Sequence, residues 1–132
     1  MRAADHFSLK LLTPLRTVVD KDIQRLKVEG AQGAFVILPR HVDCAVELRP
    51  CLLSYEVGSE ETYFAIDGGL LVKCGHEVRV TTPQLAGDAP LGALQDAVKS
   101  MLVETDEQEA RARRALQRIE MDVVRRFMEL DR

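Results

Sequence analysis

The feature that most constrains this chain is a change of hydrophobic period near residue 83. Before it, apolar residues alternate with polar ones in short runs; after it, they recur every three or four residues. A period of two describes strands with one wet face, and a period of three to four describes amphipathic helices. The sequence therefore predicts a β domain over residues 1–83 and a helical domain over 84–132, with Gln84-Leu85-Ala86-Gly87-Asp88-Ala89-Pro90 as the linker (84–90).

Within the first part the predicted strands are Phe7–Leu12, Thr17–Asp20, Ile23–Val28, Ala34–Leu38, Cys44–Leu48, Leu52–Val57, Thr62–Ile66, Leu70–Lys73 and Glu77–Thr82. Between them lie Thr13-Pro14, Gly30-Ala31-Gln32-Gly33, Pro39-Arg40-His41, Gly58-Ser59, Asp67-Gly68-Gly69 and Gly75, residues that supply fixed or positive φ where a chain reverses. Asp67-Gly68 between two such runs reads as a type I′ hairpin turn. Leu26 and Val28 alternate with Arg25, Lys27 and Glu29, and Val78 and Val80 with Glu77, Arg79 and Thr81. Short strands at this spacing predict an antiparallel β-sandwich.

In the second part Leu91, Leu94, Val98 and Met101 form one apolar seam, and Leu116, Ile119, Val123, Phe127 and Leu130 another. Glu104-Thr105-Asp106 lies between them, and Asp106 with Glu109 has the spacing of a capping box, which predicts a second helix there and so a two-helix hairpin. Glu107 with Arg111, Glu109 with Arg113 and Asp122 with Arg126 are acid-first pairs four residues apart. A hairpin folded on the sheet and a mobile helical arm both fit this pattern.

Composition excludes several function classes. The chain has 132 residues, 18 Lys+Arg against 21 Asp+Glu, a net charge of −3, 5% aromatics and no Trp, which argues against a nucleic-acid binder. Cys44, Cys51 and Cys74 are an odd number, and Met1-Arg2-Ala3-Ala4-Asp5-His6 opens no apolar signal segment, so a reducing cytoplasmic compartment is expected. Charged residues interrupt every apolar run, so no direct membrane insertion is expected. There is no G-x-S-x-G, phosphate-cradling loop or paired acidic motif, so no catalytic residues are assigned. His41, Cys44, Cys74 and His76 are the one set of soft ligands to weigh as a metal site; their spacing lacks a C-x-x-C knuckle, and buried thiols with a loop histidine account for them better.

The order of motifs carries more than any single one. Gly30-x-x-Gly33, then Phe35-Val36-Ile37-Leu38-Pro39-Arg40-His41, Leu48-Arg49-Pro50, Tyr63-Phe64-Ala65-Ile66-Asp67-Gly68-Gly69 and Glu77-Val78-Arg79-Val80, opened by Leu9-Lys10-Leu11-Leu12-Thr13-Pro14, resembles the epsilon subunit of F-type ATP synthase over nearly the whole chain. Arg40-His41-Val42-Asp43 and Leu71-Val72-Lys73-Cys74-Gly75 are similar to a divergent branch of epsilon subunits from alternative, sodium-type ATPases.

The resemblance implies a non-catalytic part of the central stalk, peripheral on the cytoplasmic face of the bacterial inner membrane. It implies as partners the gamma subunit, the membrane rotor ring, and the alpha and beta subunits of the catalytic head. Carried over by position, Gly33 and Ala34 with Pro39, Arg40 and His41 match the ring-facing segment, although Ala34 stands where some members carry an acid and Arg40 where a glycine is usual. Cys51 likewise replaces the glycine usual after Pro50. The helical arm of the family restrains ATP hydrolysis, which makes Arg111, Arg113, Arg114, Arg118, Arg125 and Arg126 candidates for an acidic surface in the head; a solvated face balanced by acidic neighbours is the competing reading. The ATP-binding motif of some members, Ile/Leu-Asp-x-x-Arg-Ala, fits neither at Arg111-Ala112 nor at Arg114-Ala115, so neither an ATP site nor any cofactor is expected. A free-standing sandwich binding a small ligand or a metal is the alternative.

Overall fold

Phe7, Leu9 and Leu11 are buried while Ser8, Lys10 and Leu12 between them are half-buried, so the first strand, β1 (Phe7–Leu12), puts one face into a core. The computed structural model describes residues 5–30 and 33–130; Ala31 and Gln32 of the predicted glycine-flanked turn lie outside the described residues. After β1 come β2 (Thr17–Ile23), β3 (Arg25–Gly30), β4 (Gly33–Ile37), β5 (Cys44–Val57), β6 (Glu60–Cys74), β7 (Glu77–Thr81), β8 (Leu85–Ala86) and one helix, α1 (Leu91–Leu130). The chain divides into two compact units, residues 1–101 and 102–132.

The strands hydrogen-bond in the order β2-β1-β7-β6-β5-β3-β4, with β8 also on β6. All pairs are antiparallel except β1 with β7, which run parallel with Leu9 beside Val78 and Leu11 beside Val80. The fold is thus a β-sandwich whose layers share two long strands. Layer one contains β2, β1, β7, the Leu70–Cys74 part of β6 and the Cys44–Leu48 part of β5. Layer two contains Cys51–Val57, Glu60–Ile66, β3, β4 and β8. Phe7, Leu9, Leu11, Ile23, Leu26, Ile37, Leu53, Ile66, Leu71, Val78 and Val80 fill the space between them. Complete burial of each such side chain stabilises the fold by about 1.5–3 kcal/mol.

Three predicted features take a different form. Asp67-Gly68-Gly69 is a bend inside β6, with no chain reversal: Asp67 pairs with Pro50 and Gly69 with Leu48 in one unbroken register. Gly68 (φ 74°) and Gly69 (φ 128°) adopt positive φ there, and Pro50 opposite has no N–H to give the ladder. Runs read as separate strands on either side of these residues therefore join into β5 and β6. The hairpin between those strands turns at Gly58-Ser59, where glycine at the first position (φ 64°) is the requirement of a type II′ turn.

In the segment read as a linker, Leu85 and Ala86 pair with Ile66 and Ala65 as β8. Asp67 and Gln84 bond reciprocally beside them, through Asp67 N–H to the Gln84 carbonyl (3.0 Å) and Gln84 Nε2 to Asp67 Oδ2 (3.0 Å). Finally, one helix stands where a two-helix hairpin was predicted. Glu104, Thr105 and Asp106 are all helical. A capping box offers hydrogen bonds to a helix start but does not oblige the preceding turn to end, and no glycine or proline lies between Gly92 and Leu130 to end it.

Candidate partner-binding surfaces

Each layer has an outer face, and the two differ in what covers them. In layer two, Leu52 and Ala65 point outward and are buried beneath Leu94, with Ala97 and Val98 packed alongside. Leu94 is 2% exposed. The first turns of α1, entered through Asp88 (φ 52°) and closed by Leu94 N–H on the Pro90 carbonyl (3.1 Å), thus seal this face.

In layer one, the residues that alternate with the core point outward in rows. Leu12, Thr81, Leu70 and Glu47 form one row; Lys10, Arg79, Val72 and Ala45 form the next. Leu70 and Val72 are exposed, and Leu15, at the tip of the β1–β2 loop, is 94% exposed. An open apolar depression of about 620 Å³ lies between Leu12, Pro14, Leu70, Thr81 and Pro83. Charges flank it: Glu77 sits 3.5 Å from Lys10 and 3.1 Å from Arg79, and the Arg79 hydrogen bond holds the Glu77 carboxyl below its ordinary range. An apolar depression with a charged rim is the make-up of a protein-binding patch.

The residues matched to the ring-facing segment do not form one patch. Gly33 and Ala34 open β4 beside Gly30 and Glu29. Arg40 and His41 follow the other end of that strand, where His41 N–H bonds the Leu38 carbonyl (2.9 Å). At a strand rise of about 3.3 Å per residue, β4 holds the two pairs roughly 15 Å apart. The Arg40-His41 loop is tied instead to the β6–β7 turn, where Asp43 Oδ1 accepts from Gly75 N–H (2.8 Å) and the buried Lys73 donates from Nζ to the Gly75 carbonyl (2.7 Å).

Of the four soft ligands, His41 and Cys44 are neighbours, Nδ1 to Sγ 4.0 Å. Cys74 is exposed and on the opposite face from Cys44, whose direct partner across the ladder is Lys73. Among the described residues no three His, Cys, Asp or Glu side chains come together so as to hold a metal ion. Cys51 lies in the core, and burial pushes its thiol up from 9.0 to about 11.

In the helical segment 102–130, Leu116, Ile119, Val123, Phe127 and Leu130 are all exposed. Arg111, Arg114, Arg118 and Arg125 fall on one helix face by their spacing, and Arg113 and Arg126 on others. Arg111 meets Glu107 at 3.8 Å, one of the acid-first pairs, and Arg114 Nε donates to the Ala110 carbonyl (3.3 Å). Met121, Val124 and Met128 line a second shallow groove, of about 550 Å³. No helix among the described residues is long and apolar enough to cross a membrane.

Sequence reasoning missed the open strip because Leu70-Leu71-Val72 reads as an unbroken apolar run. Only the pairing of Leu71 with Val80 shows that Leu71 turns inward and its neighbours outward.

A sandwich with one face sealed by its own helix and the other presenting an apolar strip defines an assembly subunit, whose work is done by contact. Residues 6–86 match the family model of the ATP synthase delta/epsilon chain β-sandwich domain. The ATP synthase epsilon chain of Anaeromyxobacter sp. (strain Fw109-5) is 33% identical over 124 residues, covering 85% of this chain and 94% of that one. The ATP synthase epsilon chain of Thermotoga petrophila is 26% identical over 109 residues, covering 83% and 95%. The chain belongs to the ATP synthase delta/epsilon family, and its relatives are epsilon chains, non-catalytic subunits. The fold is also similar to a chain in the cryo-EM structure of the Euglena gracilis mitochondrial ATP synthase OSCP/F1/c-ring, with a TM-score of 0.60 at 17% identity, covering 73% of this chain and 63% of that one.

Proposed function

We propose that this chain is the epsilon subunit of an ATP synthase central stalk in bacteria, and that it couples rotation by holding the gamma subunit on the open face of layer one. The observation that carries the reading is the asymmetry of the two outer faces. Leu94 fills the space over Leu52 and Ala65, whereas nothing in the chain covers Leu70 and Val72 among the described residues. Burying such side chains against a partner is worth about 1–2 kcal/mol each, and the Lys10–Glu77–Arg79 rim excludes water around them.

In this reading the membrane ring is met by the Gly33-Ala34 turn and the Arg40-His41 loop as two separate contacts. Both reach the ring together only if β4 lies along its surface. The chain then sits peripherally at the cytoplasmic face of the inner membrane. The helical segment meets the alpha and beta subunits, with Arg111, Arg114, Arg118 and Arg125 presented as one basic face and Arg113 and Arg126 on other faces, and restrains hydrolysis by doing so. Its attraction to an acidic surface decays over about 8 Å at physiological salt.

The deciding experiment is capture of the tagged full-length chain from its native membranes in mild detergent. Recovery of gamma, alpha and beta subunits in fixed ratio is expected. Recovery of the chain alone, while the catalytic head is shown to be intact, would overturn the assignment.

A further inference from the structure

The turn between β6 and β7 is two residues long, Gly75-His76, set between the paired Cys74 and Glu77. In so short a turn the peptide groups of the first residue have no partner in the ladder and are ordinarily left to water. Here charged side chains take both. Asp43 Oδ1 accepts from the Gly75 N–H (2.8 Å), and Lys73 Nζ donates to the Gly75 carbonyl (2.7 Å). The next carbonyl, that of His76, accepts from the Ser8 N–H of β1 (2.7 Å), so the turn is itself fastened to layer one.

Lys73 is the costly member of this bracket. It follows Leu71 in the inward row, lies beside Cys44 on one ladder and Val78 on the other, and is 3% exposed. An apolar side chain would fill that position without desolvating a charge, so packing does not account for an ammonium there. A charge-assisted bond to the turn carbonyl does. Asp43 is exposed, yet it engages an amide 32 residues away in sequence.

The bracket holds the 38–43 loop. Inside the loop, the His41 N–H bonds the Leu38 carbonyl (2.9 Å) and His41 Nδ1 lies 2.8 Å from the Val42 carbonyl, bonds that shape it from within. Asp43 fastens it to the turn. Leu38, Arg40 and Val42 are all exposed, Val42 by 74%. Two bare aliphatic side chains around a cation, fixed in place beforehand, suit contact with another protein.

We infer, on the reading of this loop as a ring contact, that Asp43 and Lys73 are positioning residues: through Gly75 they lock the loop to the β6–β7 turn and so set Arg40 and His41 before the ring is met. Ordering the loop in advance removes that cost from docking, so the bracket strengthens the ring contact and leaves the gamma contact on the open face of layer one unchanged.

The test places a photo-crosslinking residue in the loop, Val42→p-benzoylphenylalanine, in the full-length chain assembled in its native membranes, alone or combined with Asp43→Ala, Asp43→Asn or Lys73→Met. Cross-linking to the ring subunit is expected from the otherwise unaltered chain. It should fall several-fold with Asp43→Ala and with Lys73→Met, and persist with Asp43→Asn, whose Oδ1 still accepts. Recovery of gamma should be the same in every case, which reports an intact fold and assembly. In the purified chain, hydrogen exchange of the Gly75 amide should speed up about tenfold in Asp43→Ala and stay near wild type in Asp43→Asn. Cross-linking that is indifferent to Asp43→Ala, or that is lost equally in Asp43→Asn, overturns the inference and leaves the ring reading standing. No cross-link to the ring from the otherwise unaltered chain, with gamma recovered, overturns that reading and the inference with it.

Discussion

A Cβ on Gly69 would lie 1.8 Å from the Thr81 carbonyl oxygen and 2.9 Å from its carbon, and both belong to backbone that cannot move without opening β7. One on Gly75, by contrast, would meet nothing, although its φ of 60° is also left-handed. The two glycines separate conformational strain from steric exclusion. Gly75→Ala should cost about 1 kcal/mol, the left-handed penalty alone. Gly69→Ala should cost about 3 kcal/mol or more because the bend between the layers cannot form. Urea unfolding of both variants checks the order. At the same scale Cys51 gives a pH signature. Its thiol titrates higher when folded, so the neutral form is the one the core stabilises. That contribution is complete below pH 9.0 and is lost as pH rises toward 11. About 2–3 kcal/mol of stability should disappear across that window, and Cys51→Ala should flatten the loss in thermal melts taken between pH 8 and 11.

At the scale of elements, β1 and β7 were legible in the sequence because each has one face in the core and one in water: Phe7–Leu12 was read with both of its ends correct. β5 and β6 were not, since Pro50, Gly68 and Gly69 are the residues of a turn and equally of a strand bent from one layer into the other. Local chemistry cannot tell the two apart; the partner strand decides. Lys73 shows the same limit, because a lysine facing inward reads as polar until its Nζ is seen to bond Gly75 at the edge of the core. In α1, Leu94 and Val98 of the predicted Leu91-Leu94-Val98-Met101 seam pack on layer two while Leu91 is exposed, and the capping residues after Met101 did not end the helix. Leu94→Ala should cost about 2–4 kcal/mol and expose Leu52 and Ala65. Hydrogen exchange should accelerate over residues 91–101 and leave the amides of β1 protected, a pattern that a general loss of stability would not give.

For the whole molecule, the proposed function rests on a contrast between faces that no stretch of sequence displays alone, since the rows Leu12-Thr81-Leu70-Glu47 and Lys10-Arg79-Val72-Ala45 each gather residues from four strands. The family was legible from motif order, and the surface proposed to hold gamma was not. Leu70→Lys with Val72→Lys should leave the melting temperature within a few degrees of wild type, because both side chains are already in water. It should also abolish recovery of gamma with the tagged chain. Retention of gamma by this variant would move the contact elsewhere. The parallel pairing of β1 with β7 sets a further condition, one of time. The Ser8 N–H bonds the His76 carbonyl at 2.7 Å, and Thr82 N–H bonds the Leu12 carbonyl at 3.0 Å, so β1, the first described strand, has β7, the last but one, as its neighbour. During synthesis, Phe7, Leu9 and Leu11 must wait for Val78 and Val80 to leave the ribosome before layer one can close. A nascent chain halted before Glu77 would hold that apolar face exposed, as a substrate for chaperones and not as a half-built sandwich.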